Sequence, residues 1–265
     1  MPTTYAHDLF GQKVYRQMPD EVKKIIRENG ELYRIGLHGP DIFFYYFIFK
    51  NHVSGVGYRM HKEKARPFFT QGMAQIRETG DEALLAYLLG FGCHYLLDSA
   101  CHPFVNEMSD KGRISHSLLE IEFDRFLMEE NGKNPYSYYP SDCIQAKRKN
   151  AEEIHKVFPL VKTGNILLSL KLMKFMTNQL VCDDGGARRA RLSRISSLGG
   201  RKAQSALIDH YMMAQPAGGS REMVEELDTL FEKTVKEAPE KLMELYQLSQ
   251  TDRELSERWN LTYNG

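Results

Sequence analysis

Apolar positions recur at three- and four-residue spacing along most of this chain. In residues 3–18 they fall at Tyr5, Leu9, Phe10, Val14 and Tyr15, a helical period, with Thr3 or Thr4 placed to cap it. Pro19 and Asp20 break the pattern, and a second helix is expected over 20–29, closed by Gly30. Gly36, Gly39 and Pro40 mark a turn, with Asp41 directly after it. The aromatic run at 43–49 suits a buried strand or a buried helix, and the helical surroundings favour helix. Residues 51–57 read as loop, and 58–80 as a helix with His61 in its first turn and Pro67 inside it. The most apolar helix is expected over 81–102. Leu84, Leu85, Leu88, Leu89, Leu96 and Leu97 surround it on most sides, so it belongs at the centre, ended or bent by Pro103.

A polar loop at 106–113 then leads to a helix over 114–130, with Ser115 as its cap. Residues 131–140 are rich in turn formers and tyrosine. Amphipathic helices are expected over 142–158, 164–182, 204–213 and 221–248. The one long irregular segment is 183–202, with four glycines and arginines at Arg188, Arg189, Arg191 and Arg194. Strand alternation and internal repeats are absent from the sequence. The class is all-α: a single compact multi-helix domain over 1–265, with the chemistry-bearing motifs in 1–130 and a helical remainder at 141–265.

Composition adds little. The chain is 42% hydrophobic and 26% charged, enough apolar material for an ordinary core. Lys+Arg and Asp+Glu are both 35, so net charge gives no argument for a nucleic-acid or acidic partner. The four cysteines, Cys93, Cys101, Cys143 and Cys182, form no CxxC pair and read as buried small apolar residues. The first residues lack a basic segment followed by an apolar run, and the run at 42–49 is too short to cross a bilayer. The expected location is cytoplasmic.

The candidate chemistry sits in residues 90–120. His94 and Asp98 are four apart, as are Asp98 and His102, and His116 and Glu120. Positions i and i+4 share a helix face, so the stretch offers two ligand pairs and a further histidine. A lone histidine on an apolar face is usually a core residue. Here the arrangement is joint, and Asp98 and Glu120 lie among leucines. Burying a carboxylate costs several kcal/mol unless it is paired or bound to metal. Between Phe91 and Glu107 there is no Lys or Arg to pair Asp98. The residues therefore point to a thiolate-free metal site, which suits Lewis-acid chemistry.

These motifs resemble the bacterial zinc-dependent phospholipase C family, related in fold to the fungal single-strand-specific zinc nucleases. The resemblance runs through HYLLD at 94–98, DSACH at 98–102, HSLLE at 116–120, PD at 40–41, His61 and His7. It implies two or three zinc ions per chain. Asp41, His61, His94 and Asp98 would hold the first, and His102, His116 and Glu120 the second. His7, with Asp98 bridging, would hold the third. Secreted members complete that third site with a processed N-terminal tryptophan. This chain begins MPTTY, so Pro2 would be exposed by methionine removal, and the third site is expected to be weaker, to take another metal, or to be completed by different ligands.

The implied activity is phosphodiester hydrolysis, phospholipase C-like, with a zinc-activated water attacking phosphorus and Asp41 as ligand or general base. The substrate would be a small phosphoester or a phospholipid headgroup. Transient contact with a membrane surface fits that substrate, and a stable nucleic-acid partner is not expected. A nuclease or nucleotidase on the same scaffold, and a non-catalytic metal-binding protein, stay open.

Weaker candidates surround this set. His38 either hydrogen-bonds Asp41 or is a plain turn residue. Asp124 either orients a ligand histidine or pairs with Arg125 or Lys133. His52, His155 and His210 read as ordinary. Glu107 and Asp110 read as solvated acids. Tyr136, Tyr138 and Tyr139 read as an exposed turn, with base stacking or a choline box as the alternative. The arginine run reads as a solvated loop, with attraction to phosphate-bearing surfaces as its alternative.

Overall fold

Helix α6 (Glu82–Asp110) is the axis of the structure, a computed structural model that describes residues 4–46, 51–135, 138–181, 186–198, 209–213 and 215–265. Asp81 caps it, its carboxylate accepting from the Leu84 N–H at 3.0 Å. Leucines and aromatics on every side are buried, as the all-round apolar pattern requires. The helix is long and apolar enough to cross a membrane, but 94% of its most apolar window is buried inside the protein. All described elements are α-helices, 3-10 turns or irregular segments.

Pro103 neither ends α6 nor stops the next two turns, and the polar loop expected at 106–113 is helical as far as Asp110. The proline removes one backbone donor near the Ser99 carbonyl. The C-terminal segment packs against this place. A Cβ at Gly265 would lie 2.5 Å from Pro103 Cγ and 3.5 Å from the Ser99 oxygen. Arg258 donates to the Leu96 carbonyl at 3.2 Å and to Ser99 Oγ at 2.8 Å.

Among the described residues, helices from both ends of the chain pack around α6. α1 (Thr4–Gln17) and α2 (Asp20–Glu28) lead into α3 (Gly30–Gly36). Gly30 opens α3 and does not close α2 as the sequence suggested. α3 meets α6 backbone to backbone. A Cβ on Gly36 would lie 2.2 Å from the Tyr87 carbonyl, and one on Gly90 2.1 Å from the Tyr33 carbonyl. Both glycines are required by that close approach. Arg34 grips the buried Asp8 with two bonds of 2.8 and 2.7 Å, tying α3 to α1. α7 (His116–Glu130) starts at the Ser115 cap, and α11 (Arg221–Gln250) closes the bundle against α6.

The segment between α3 and α6 departs most from expectation. Gly39–Phe43 is a 3-10 turn carrying Asp41. Residues 51–57 are not loop: α4 (His52–Met60) begins there because Asn51 accepts from the Val53 and Ser54 N–H groups. The expected helix over 58–80 is broken after Met60. α5 (Arg66–Thr79) starts afresh with Pro67 in its first turn, where its missing donor costs nothing.

The remainder contains a 3-10 turn (Pro140–Cys143), α8 (Arg148–Val157), α9 (Thr163–Leu180) and α10 (Ala187–Ser197). The expected irregular stretch thus contains α10. Arg188 donates to the carbonyls of Asn178 and Val181, and Leu192 packs on Leu180 and Tyr211. Thr3, residues 47–49, Tyr136, Cys182 and residues 204–208 of the helix expected at 204–213 lie outside the described residues, and 209–213 form turn and irregular backbone where helix was expected.

Candidate metal centre

Five elements send one face each to a common point. α6 presents His94, Asp98 and His102 in consecutive turns. The first turns of α7 supply His116 and Glu120, and α1 supplies His7. The 3-10 turn supplies Asp41, and His61 sits at the end of α4. All eight residues named from sequence converge. In three groups the ligand atoms lie within 4.8 Å of one another: His7, Asp41 and His94; His61, His94 and Asp98; His102, His116 and Glu120.

Asp98 is the hub. Its Oδ1 is 3.2 Å from His7 Nε2, and its Oδ2 is 3.1 Å from His94 Nε2, 3.7 Å from His61 Nε2 and 3.8 Å from His102 Nδ1. Asp41 Oδ1 is 3.1 Å from His61 Nε2. Glu120 Oε1 stands 3.3 Å from His102 Nε2 and 3.2 Å from His116 Nε2. The rings of His7 and His94 stack with centroids 4.4 Å apart.

Oxygen acceptors hold three of the rings from behind. His61 Nδ1 donates to the Gly57 carbonyl at 2.8 Å, and His102 Nδ1 to the Tyr263 carbonyl at 2.8 Å. His116 Nδ1 lies 3.0 Å from Asn106 Oδ1. A carbonyl can only accept, so Nδ1 of His61 and His102 carries the proton. Nε2 then faces the carboxylates and, once its own proton is displaced, offers its lone pair there, the arrangement of a metal-ligating histidine. Gly39 lets the turn lie flat on His94: its φ is +47°, and a Cβ there would sit 2.1 Å from the His94 ring.

Burial opposes ionisation of Asp98, Asp41, His61 and His94. It raises the Asp98 carboxyl, but His102 and His94 outweigh it and hold the group well below its usual range. Asp41 is likewise lowered, by His94 and His61 against burial. Burial lowers His61, yet Asp41 and Asp98 carry it up to about 10. Burial keeps His94 below its usual value.

Several supporting residues differ from expectation. His38 does not reach Asp41. Cys143 donates to the Pro140 carbonyl, so its sulfur accepts from His38 Nε2 at 3.2 Å. Asp124 takes neither expected partner. Arg125 pairs with Glu122 and Glu129, and Lys133 lies over the Tyr138 ring. Asp124 instead accepts the N–H groups of Tyr5 at 3.0 Å and Ala6 at 2.8 Å, fixing the start of α1 just before His7. His52 faces solvent, His155 bonds the Val161 carbonyl, and Glu107 pairs with Lys111 on the surface. His210 is less ordinary than its sequence context suggested. It lies 3.5 Å from Ser117 Oγ, beside His116, in a small cavity shared with Asp124 and Thr4.

Sequence reading missed the C-terminal segment. Tyr263 is fully buried, with its ring against His61 and His94, while Asn264 donates to the His61 carbonyl at 3.0 Å. Asn106 was legible: it stands four residues after His102 and would have joined the ligand face had α6 been carried past Pro103.

This donor set fits a metal. It is nitrogen and oxygen only, its donor atoms converge, and Nδ1 of buried His7 and of buried His94 has no hydrogen-bond partner. A family model described as zinc dependent phospholipase C matches residues 6–164, more than half of the chain and all eight converging residues but no part of the C-terminal segment. No curated protein and no solved structure matches the chain. The chain belongs to the zinc-dependent phospholipase C family.

Proposed function

We propose that this protein hydrolyses a phosphodiester in phospholipase C fashion, with two or three zinc ions held by the eight clustered residues. Asp41, His61, His94 and Asp98 hold the first ion, and His102, His116 and Glu120 the second. His7 and Asp98 hold the third. The observation that carries the reading is Asp98: one buried carboxylate within 3.8 Å of four histidines drawn from three elements. No single salt bridge needs that many imidazoles, whereas a bridging ligand between metal ions does.

Bound zinc would supply Lewis acidity to the phosphoryl oxygen and lower the pKa of water in the cleft. The chain's residues do the rest. Asp41 stays ionised and accepts the proton of the attacking water. The Gly57 and Tyr263 carbonyls fix the His61 and His102 tautomers. Access is from the side of His61 and His116, the two residues of the cluster with appreciable side-chain exposure, 14% and 31%. There Phe44 lies against both His61 and the exposed Tyr58, giving the mouth an aromatic rim. Such a rim suits a phospholipid headgroup or another small phosphoester, and a cation on that headgroup would favour the ring faces.

Metal analysis together with turnover of bis-nitrophenyl phosphate and headgroup release from phosphatidylcholine tests the reading. Two or more zinc ions per chain with hydrolysis of both substrates is the expected result. Asp98→Asn should lower zinc affinity and turnover at least ~100-fold, beyond the effect of losing one outer-shell partner. Fewer than two ions and no hydrolysis would sink the enzyme assignment. Turnover of single-stranded nucleic acid alone would make the protein a nuclease.

A further inference from the structure

Helix α10 presents a surface that the hydrolytic site does not use. Its sequence, ARRARLSRISS, contains four arginines and no acidic residue. Leu192 is its one buried side chain, packed on Leu180 and Tyr211. Arg191, Arg194, Ile195 and Leu198 follow at the i, i+3, i+4, i+7 spacing of a single helix face, and that face points outward. Ile195 is 59% exposed and Leu198, just past the helix end, 89%. Arg191 has a neutral partner, donating to Gln179 Oε1 at 2.6 Å.

Two features need explaining together. An arginine face alone is met by water or by any polyanion. Large exposed aliphatic side chains on the same face gain nothing from either. An anionic bilayer satisfies both, because guanidinium groups reach the phosphate layer on long stems while short aliphatic groups enter the acyl boundary below it. A phosphate backbone without acyl chains leaves Ile195 and Leu198 unsatisfied, so nucleic acid fits less well. The position is also apt. Tyr211 links α10 to Met212 and His210, and His210 stands beside Ser117 and the exposed edge of His116.

We propose that the outer face of α10 docks the protein on an anionic membrane and so brings lipid headgroups to the metal centre. The inference rests on the lipid-directed reading of that centre, but docking itself is read without turnover.

The test is sedimentation of the full, zinc-loaded chain with phosphatidylcholine vesicles, with and without phosphatidylglycerol. Binding should require phosphatidylglycerol and weaken with salt. Arg191→Ala and Arg194→Ala should each lower the partition coefficient ~5-fold, the value of one basic residue at such a surface. Ile195→Ser with Leu198→Ser should lower it further in a way that low salt does not restore. All four changes should leave hydrolysis of bis-nitrophenyl phosphate and thermal stability unchanged. Equal binding to neutral vesicles, equal binding by the variants, or binding lost only together with stability would each overturn the proposal. So would arginine-dependent binding to single-stranded nucleic acid, or arginine-dependent self-association, without vesicle binding. Absent turnover with intact docking would overturn the hydrolase reading and leave this one standing.

Discussion

Ending the chain after Leu261 should empty the second metal group without touching any of its ligands. The truncation removes the Tyr263 carbonyl that accepts from His102 Nδ1, and the fully buried Tyr263 ring packed on His61 and His94. Loss of the ring should cost ~3–5 kcal/mol of stability, the range for emptying a buried aromatic site. Loss of the carbonyl frees His102 to change tautomer or turn, and should weaken zinc ~10–100-fold. Tyr263→Ala separates the two terms, because it deletes the ring and keeps the backbone acceptor. Both variants should melt early. Only the truncated chain should also lose the second zinc, a difference of ~1.4–2.7 kcal/mol in binding free energy. Zinc titration against a competing chelator, with cobalt substitution to read coordination, measures this. Equal zinc affinity in the two variants would refute the role given to the carbonyl.

Three further outcomes follow from the geometry. Gly39→Ala should displace His94 and reduce metal content at the first group, since the new Cβ would lie 2.1 Å from the ring and the φ of +47° disfavours any side chain; elemental analysis reads it. Burial pushes Asp124 up to about 7, so this residue contributes stability that is present at low pH and lost as pH rises from about 4 towards 7; Asp124→Asn should flatten that part of the unfolding profile, a difference of ~4 kcal/mol across the window. His116→Ala should remove one zinc, whereas His155→Ala, which loses only a bond to the Val161 carbonyl, should keep the full complement; zinc loss from His155→Ala would show that the ligand set is misassigned.

The convergence of these eight residues was legible because metal chemistry constrains residue type and helical spacing together. HYLLD, DSACH and HSLLE each place donors one turn apart on one face, and α6 and α7 realise that spacing. The helical class was legible from period alone. What failed was punctuation. Pro103 was read as ending or bending its helix and 106–113 as loop, but one missing backbone hydrogen bond does not stop α6, which runs on to Asp110. Gly30 was read as the close of a helix but opens α3; Gly36 does end α3, and its second role, backbone contact with Tyr87, is one no single-sequence pattern reveals. Asn51 was read as loop because the glycines after it hid the cap. The acceptors behind His61 and His102 are backbone carbonyls, which carry no residue identity and so leave no trace in the sequence.

The division between ligands and supports has a consequence for folding. All eight clustered residues lie within the family-matched region, yet a backbone acceptor for His102 comes from residue 263, outside it. The second group is therefore fully oriented only when the C-terminal segment has packed on Pro103. Without metal, three buried carboxylates face five imidazoles, and protons must take up the charge. His61, carried up to about 10 by Asp41 and Asp98, is the first place one would sit. Zinc then competes with protons and displaces them on binding, so metal affinity rises with pH and metal binding adds directly to folding stability. The same carboxylates that make the cluster costly to bury on its own are what make it a strong site when filled.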